Sequence, residues 1–174
     1  MTVHSPTVRK RDSSDDAFVR DELTRNWHST QIWSLGRMYE ADALPGYIAE
    51  LDGERAGLAT YCIHPGGYQC ELVTISSRIE SRGVGAALLD AVIHAAREAE
   101  CDRLMLTTSN DNVRALQFYQ KRGWRLCGIH AGSIDRARAL YPDKIPLVGL
   151  NGIPVHDELE LELWLDPRAR KDAP

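Results

Sequence analysis

The chain has 174 residues, 43% of them hydrophobic and 26% charged, with a formal net charge of -4. A domain of that length buries roughly 70% of its unfolded surface, so a core and a pocket both fit in one unit spanning 1–174. The composition excludes a disordered, collagenous or coiled-coil chain, and the acidic balance gives no broad electrostatic basis for binding nucleic acid.

The opening "MTVHSPTVRKRDSSDD" lacks the apolar run of a signal peptide, and Asp90 and His94 interrupt the longest apolar segments. A cytoplasmic protein without a membrane span is therefore expected. Cys62, Cys70, Cys101 and Cys127 lie far apart without a CxxC pair, which signals neither zinc nor a disulfide framework and reads as four small buried residues.

Residues 1–6 and 166–174 are polar, proline-bearing ends expected to fray. A strand over Thr7 to Lys10 precedes a helix that Ser13 or Ser14 could cap, running to about Asn26 with Phe18, Val19 and Leu23 on one face. "NWHSTQIWSLGRMYEADALPG" then reads as a loop or irregular helix. Its Trp27, Trp33 and Tyr39 suit core packing first and an apolar pocket wall second.

"YIAEL", the turn "DGE" and "AGLATYCI" form a hairpin, and "HPGG" turns the chain into the strand "YQCELVTIS". Simple alternation there puts Glu71 on the face of Val73 and Ile75. From Val84 onward Ala87, Leu88, Ala91, Val92 and Ala95 fall at helical spacing.

"RLMLTT" is a short apolar strand and "DNVRALQFYQKRG" a second helix, stopped by Gly123. "WRLCGIH" is another strand. Ser133 to Pro154 holds a short helix and a proline-rich loop long enough to be functional, expected to cover a pocket or a subunit interface. Its Arg136 and Arg138 read as solvated. "VHDELELELWL" closes the chain as an alternating strand, with Asp157 on the apolar parity of Val155, Leu159 and Leu161.

The stretch "IESRGVGAALLDAVIHAA" places Gly83 and Gly85 at the mouth of the long helix. Glycines there serve a tight turn, close packing, or an anion received by free N–H groups of Arg82, Gly83, Val84, Gly85 and Ala86 at the positive end of the helix dipole. A dinucleotide fingerprint needs a third glycine where Leu88 stands, and a Walker loop needs Gly-Lys-Ser/Thr. Taken alone the stretch leaves packing and anion binding equally open.

The succession "CELVTIS", "RGVGAALLDAV", "RLMLTT" and "NVRALQFYQKRGW" resembles the GNAT superfamily of CoA-dependent N-acyltransferases. That family opens its central helix with Gln/Arg-x-x-Gly-x-Gly/Ala and carries Asn-x-x-Ala-x-x-x-Tyr before Gly-Phe. Asn112, Ala115, Tyr119, Gly123 and Trp124 match the second signature, Trp replacing Phe. Glu80 departs from the first, standing where Gln or Arg is usual, and Ser81 replaces a common glycine.

The resemblance covers about residues 7–165. It implies an α/β (α+β) fold: a mixed, mostly antiparallel twisted sheet of about seven strands with helices on both faces. It also implies acetyl-CoA as co-substrate, no metal, and direct acetyl transfer to a primary amine of a small molecule or peptide, with a homodimer left open. By the same resemblance Arg82, Gly83, Val84, Gly85 and Ala86 would cradle the pyrophosphate and Asn112 would meet the pantetheine arm. The backbone N–H of Ile75 or a neighbour would polarise the acyl carbonyl, and Tyr119 would protonate the thiolate, unless it only packs with Phe118.

The base is open between Glu71, Asp157, His156 and a water chain, and a solvated Glu71 is as good a reading. Asn112 could equally cap its helix. An acyl-CoA sensor of the same fold without catalysis remains the alternative, and a dinucleotide-binding module rests on the glycines alone. His64 and His130 read as loop or core residues, and His4, His28 and His94 show no metal pattern.

Overall fold

The computed structural model describes residues 5–166, so the expected fraying of both ends lies mostly outside the described residues. Seven strands form one sheet in the order β1 (Thr7–Lys10), β4 (Gly46–Leu51), β5 (Glu54–Ile63), β6 (Gln69–Ser77), β7 (Arg103–Ser109), β9 (Glu158–Trp164), β8 (Arg125–His130). Every neighbouring pair is antiparallel except β6 and β7. A parallel pair needs a crossover, and α2 (Val84–Glu98) supplies it.

The helices cover both faces. Val84, Leu88, Leu89 and Val92 of α2 are buried against Ala49, Ala59, Leu72 and Leu104 of the sheet, with Tyr119 of α3 (Val113–Gln120) and Trp124 completing this cluster. Each large side chain so buried contributes about 1.5–3 kcal/mol, which outweighs the roughly 1 kcal/mol helix cost of a glycine in the first turn. On the other face Val19 and Leu23 of α1 (Asp16–Trp27) pack on Ile32, Ile48 and Leu58.

Four expectations need correction. The helix start is capped by Asp12, not a serine: its carboxylate receives the Ser14 N–H at 2.8 Å, ahead of a 3-10 turn over Ser13–Asp15. The segment after α1 is a hairpin, β2 (Gln31–Ser34) paired with β3 (Arg37–Glu40), turned by Leu35 and Gly36 in left-handed conformation. That turn is carried by two residues of positive φ, of which only the glycine announces itself in sequence. Cys70 and Cys101 are buried as expected, but Cys127 is exposed on the edge strand β8; all four are free.

The fourth, that Glu71, Val73 and Ile75 share one face of β6, fails at a bulge. Thr60 opposes Thr74 but Tyr61 opposes Leu72, so Val73 is an extra residue on β6. It resets the alternation. Val73 packs towards α1, whereas Ile75 packs with the α2 cluster.

Candidate active site

The bulge sits where β6 and β7 part. Their pairing is confined to Gln69, Cys70 and Glu71 opposite Arg103, Leu104 and Met105, although β6 continues to Ser77 and β7 to Ser109. A cleft of about 610 Å³ opens between them, lined by Leu72 to Ile75 on one side and Leu106 to Ser109 on the other. Arg78 donates its N–H to the Ala56 carbonyl at 2.8 Å. Alternation back along β6 turns Thr74 and Ser76 towards β5, and the N–H of Ile75 into the gap.

The glycine loop at the start of α2 lies against Phe118 of α3, next to Tyr119. Gly83 is the N-cap residue of α2 with φ 80°, has no side-chain cap, and follows Ser81 at φ 58°. The first turn contains no acidic residue. N–H groups there have no intrahelical partner, so they form an open positive rim that fits a phosphate group. Gly85 leaves that rim bare; a Cβ there would touch only the Phe118 ring, at 3.6 Å. Arg82 is exposed beside it.

Tyr119 and Asn112 both line the cleft. Tyr119 is 5% exposed, its ring set between Phe118 and Trp124 at centroid distances of 5.1 and 5.4 Å. Burial raises its phenol well above the ordinary value, and among the described residues its hydroxyl has no hydrogen-bond partner. It is a protonated donor aimed at nothing in the protein itself. Asn112 does cap α3, its Oδ1 receiving the Ala115 N–H at 3.1 Å, which leaves its amide NH₂ for a ligand.

Glu71 is 2% exposed, not solvated. Its Oε1 accepts from Ser34 Oγ at 2.6 Å, and its Oε2 from Tyr39 Oη at 2.6 Å and His64 Nε2 at 2.9 Å. Burial, then Glu71 itself, raises the Tyr39 phenol, so Tyr39 holds its proton and donates. Arg37 contacts His64 Nδ1 at 3.1 Å; since arginine only donates, Nδ1 accepts and Nε2 carries the hydrogen.

Asp157 is placed elsewhere. Its Oδ1 accepts from Gly132 N at 2.7 Å, at the start of α4 (Ser133–Leu140), and it is not part of the cleft lining. His156 is likewise spent on Asp135, at 2.9 Å. The neighbouring Glu158, 4% exposed, does line the cleft, together with Ser34 and Thr107.

The insertion closes one side. Tyr141, Lys144, Ile145, Pro146 and Leu150 line the cleft opposite Trp27 and Trp33. Arg138 is no solvated residue: it donates to the carbonyls of Ile145, Pro146 and Val155 and so staples the loop. Trp33 Nε1 and Asp111 Oδ1, on two lining residues, have no partner among the described residues. No group of three or more His, Cys, Asp or Glu there could hold a metal ion, and no described helix is long and apolar enough to cross a membrane.

The model of the Acetyltransferase (GNAT) family matches residues 12–124, which include the strand gap, the glycine loop and the Tyr119 helix. The chain belongs to that family. Two uncharacterized Bacillus subtilis proteins are similar along their length: YdhI, 38% identical over 149 residues (85% of this chain, 91% of YdhI), and YxbD, 39% identical over 138 (79% and 85%). The fold is shared with a GNAT family acetyltransferase from Elizabethkingia anophelis with acetyl-CoA bound (TM-score 0.66, 22% identity, 92% of this chain and 99% of that one). It is shared too with yncA from Salmonella typhimurium with its cofactor acetyl-CoA (TM-score 0.69, 18% identity, 98% and 100%).

In this GNAT acetyltransferase the departure at Glu80 has a structural answer. Its exposed carboxylate pairs with exposed Arg114, in the first turn of α3, whose guanidinium holds it below the usual carboxylate range. Sequence reasoning missed Ser34, Tyr39, Thr107 and Glu158 as one group. The clean Glu/Leu alternation of β9 was the only signal available, and it hid which glutamate is buried in the cleft.

Proposed function

We propose that the protein transfers an acetyl group from acetyl-CoA directly to a primary amine of a small molecule or peptide, both bound together in the cleft. The parting of β6 and β7, with Tyr119 lining the cleft and the uncapped α2 N-terminus set against the neighbouring Phe118, carries this reading. The N–H groups of Gly83 to Ala86, with Arg82 beside them, would hold the pyrophosphate, and the Asn112 amide the pantetheine arm. Bound acetyl-CoA supplies an activated acyl carbonyl and a thiolate leaving group.

The chain's own groups do the rest. The Ile75 N–H donates to the carbonyl oxygen as negative charge develops on it. The Tyr119 hydroxyl delivers a proton to the departing sulfur. The amine's proton goes to the buried carboxylate array built around Glu71. Release of free CoA thiol, followed across an amine panel with mass spectrometry of the acetylated product, tests the reading. A protein that binds acetyl-CoA yet releases no CoA with any amine of the panel would instead be an acyl-CoA sensor.

A further inference from the structure

Two buried carboxylates lie at the ends of one chain of hydroxyls. Glu71 Oε1 is 2.6 Å from Ser34 Oγ, Ser34 Oγ is 2.9 Å from Thr107 Oγ1, and Thr107 Oγ1 is 3.4 Å from Glu158 Oε1. Three links join the four groups. With both carboxylates ionised, the hydroxyls bring two protons, so one link has none.

The distances say which. Glu71 Oε2 is already held by Tyr39 and His64, and the short contact at Oε1 makes Ser34 the donor to Glu71. Ser34 must then receive from Thr107, which turns an oxygen lone pair of Thr107 towards Glu158. The proton-free link is the longest of the three. It is also the one at the cleft, where Glu158, Thr107 and Ser34 all form part of the wall and Glu71 does not.

We infer that Glu158 takes the proton of the acceptor ammonium, and that Glu71 acts through Ser34 and Thr107 to raise the proton affinity of Glu158. The inference rests on the acetyl-transfer reading of this cleft. In the step, one N–H bond of the ammonium breaks and its proton forms an O–H bond on Glu158 Oε1, donating to Thr107. The nitrogen keeps the electron pair with which it attacks the acyl carbon. All three links are then filled, and after product leaves, Glu158 returns the proton to water in the cleft.

Other titratable groups surround the array. Glu71 faces Tyr39 of β3, His64 with Arg37 behind it, and Cys62 of β5. Glu158 faces the hydroxyl of Ser133 and the Leu35 N–H, is opposed on β8 by His130, follows Asp157, and shares the cleft with Lys144 and Asp111. None of the three links needs a change in these groups, so breaking the hydroxyl chain isolates the effect.

The test is an infrared titration of the free protein, with the carboxylic-acid carbonyl stretch of Glu158 assigned by its loss in Glu158→Gln. In the wild type this band should titrate about one pH unit or more above its position in Thr107→Val, and Thr107→Ser should restore it. On an amine substrate, Thr107→Val and Ser34→Ala should each lower kcat/KM by about tenfold or more and move its acidic limb, with KM for acetyl-CoA unchanged. Equal midpoints in wild type and Thr107→Val overturn the inference. A protein that acetylates no amine overturns the acetyl-transfer reading instead, since the titration needs no substrate.

Discussion

Removing one buried oxygen separates stability from chemistry at Tyr119. The Tyr119→Phe variant keeps the ring that packs on Phe118 and Trp124 and loses a hydroxyl that has no partner among the described residues. Tyr119 lines the cleft and its oxygen is not among the buried polar atoms left without a partner, so no desolvation penalty is relieved and the variant should be about as stable as the wild type. In a chain of this size that is a melting temperature within about 2–4 °C of the wild type, the shift expected per kcal/mol. Turnover should fall by about 100-fold or more, the value of a positioned acid, with KM for acetyl-CoA within about twofold. Burial keeps the phenol protonated, so it adds no alkaline limb to the wild-type rate profile below about pH 10. Calorimetry with steady-state CoA release reads both quantities. An unchanged kcat refutes the acid role, and a melting temperature lower by several degrees refutes the unpartnered hydroxyl.

The other predictions concern the scaffold and the loop. Asp15 is fully buried and bound by Arg9 at 2.7 and 2.8 Å and by Arg55 at 2.8 Å, which holds its carboxyl far below the ordinary value. Its contribution is present above the unfolded value near pH 4 and lost as pH falls below it. Asp15→Asn should therefore cost about 3 kcal/mol in urea unfolding at pH 7, and the difference should shrink in acid. Gly57→Ala would put a Cβ 2.6 Å from the Ser76 carbonyl and 2.7 Å from Val84 Cγ1, lifting α2 off β5. A loss of about 1–3 kcal/mol with weaker CoA binding is expected; calorimetry and titration of CoA would show it, and wild-type values for both would contradict the close packing. Glu80→Gln removes an exposed charge near the proposed pyrophosphate rim. CoA should bind about two- to threefold tighter at low salt and equally at 1 M, where the screening length is about 3 Å, and a salt-independent change would deny the electrostatic cause.

Much of this protein is legible in its residues because the signals are local. Val84 to Ala96 repeat at helical spacing, Gly83 stands at a positive φ, and Asn112 to Gly123 carry cap, tyrosine and stop within one helix. Those features place the α2 N-terminus and the Tyr119 helix in the order the chain supplies them. Glu71 could be named from its strand, but whether it is solvated could not, because a side chain's burial depends on what folds over it. The β2–β3 hairpin that does so was itself illegible, with short strands and a turn only half marked by glycine.

Sequence by itself determined the helix faces and the glycine turn that opens α2, since each follows from periodicity or backbone freedom over a few neighbouring residues; the seven-strand count came from the family resemblance. Tertiary structure alone decided the buried carboxylate and hydroxyl array. The bulge at Val73 reset the face of every residue after it, and Ser34, Glu71, Thr107 and Glu158 came together from four strands. Contacts between residues so distant in sequence are fixed by the packing of the whole sheet, and no local pattern records them.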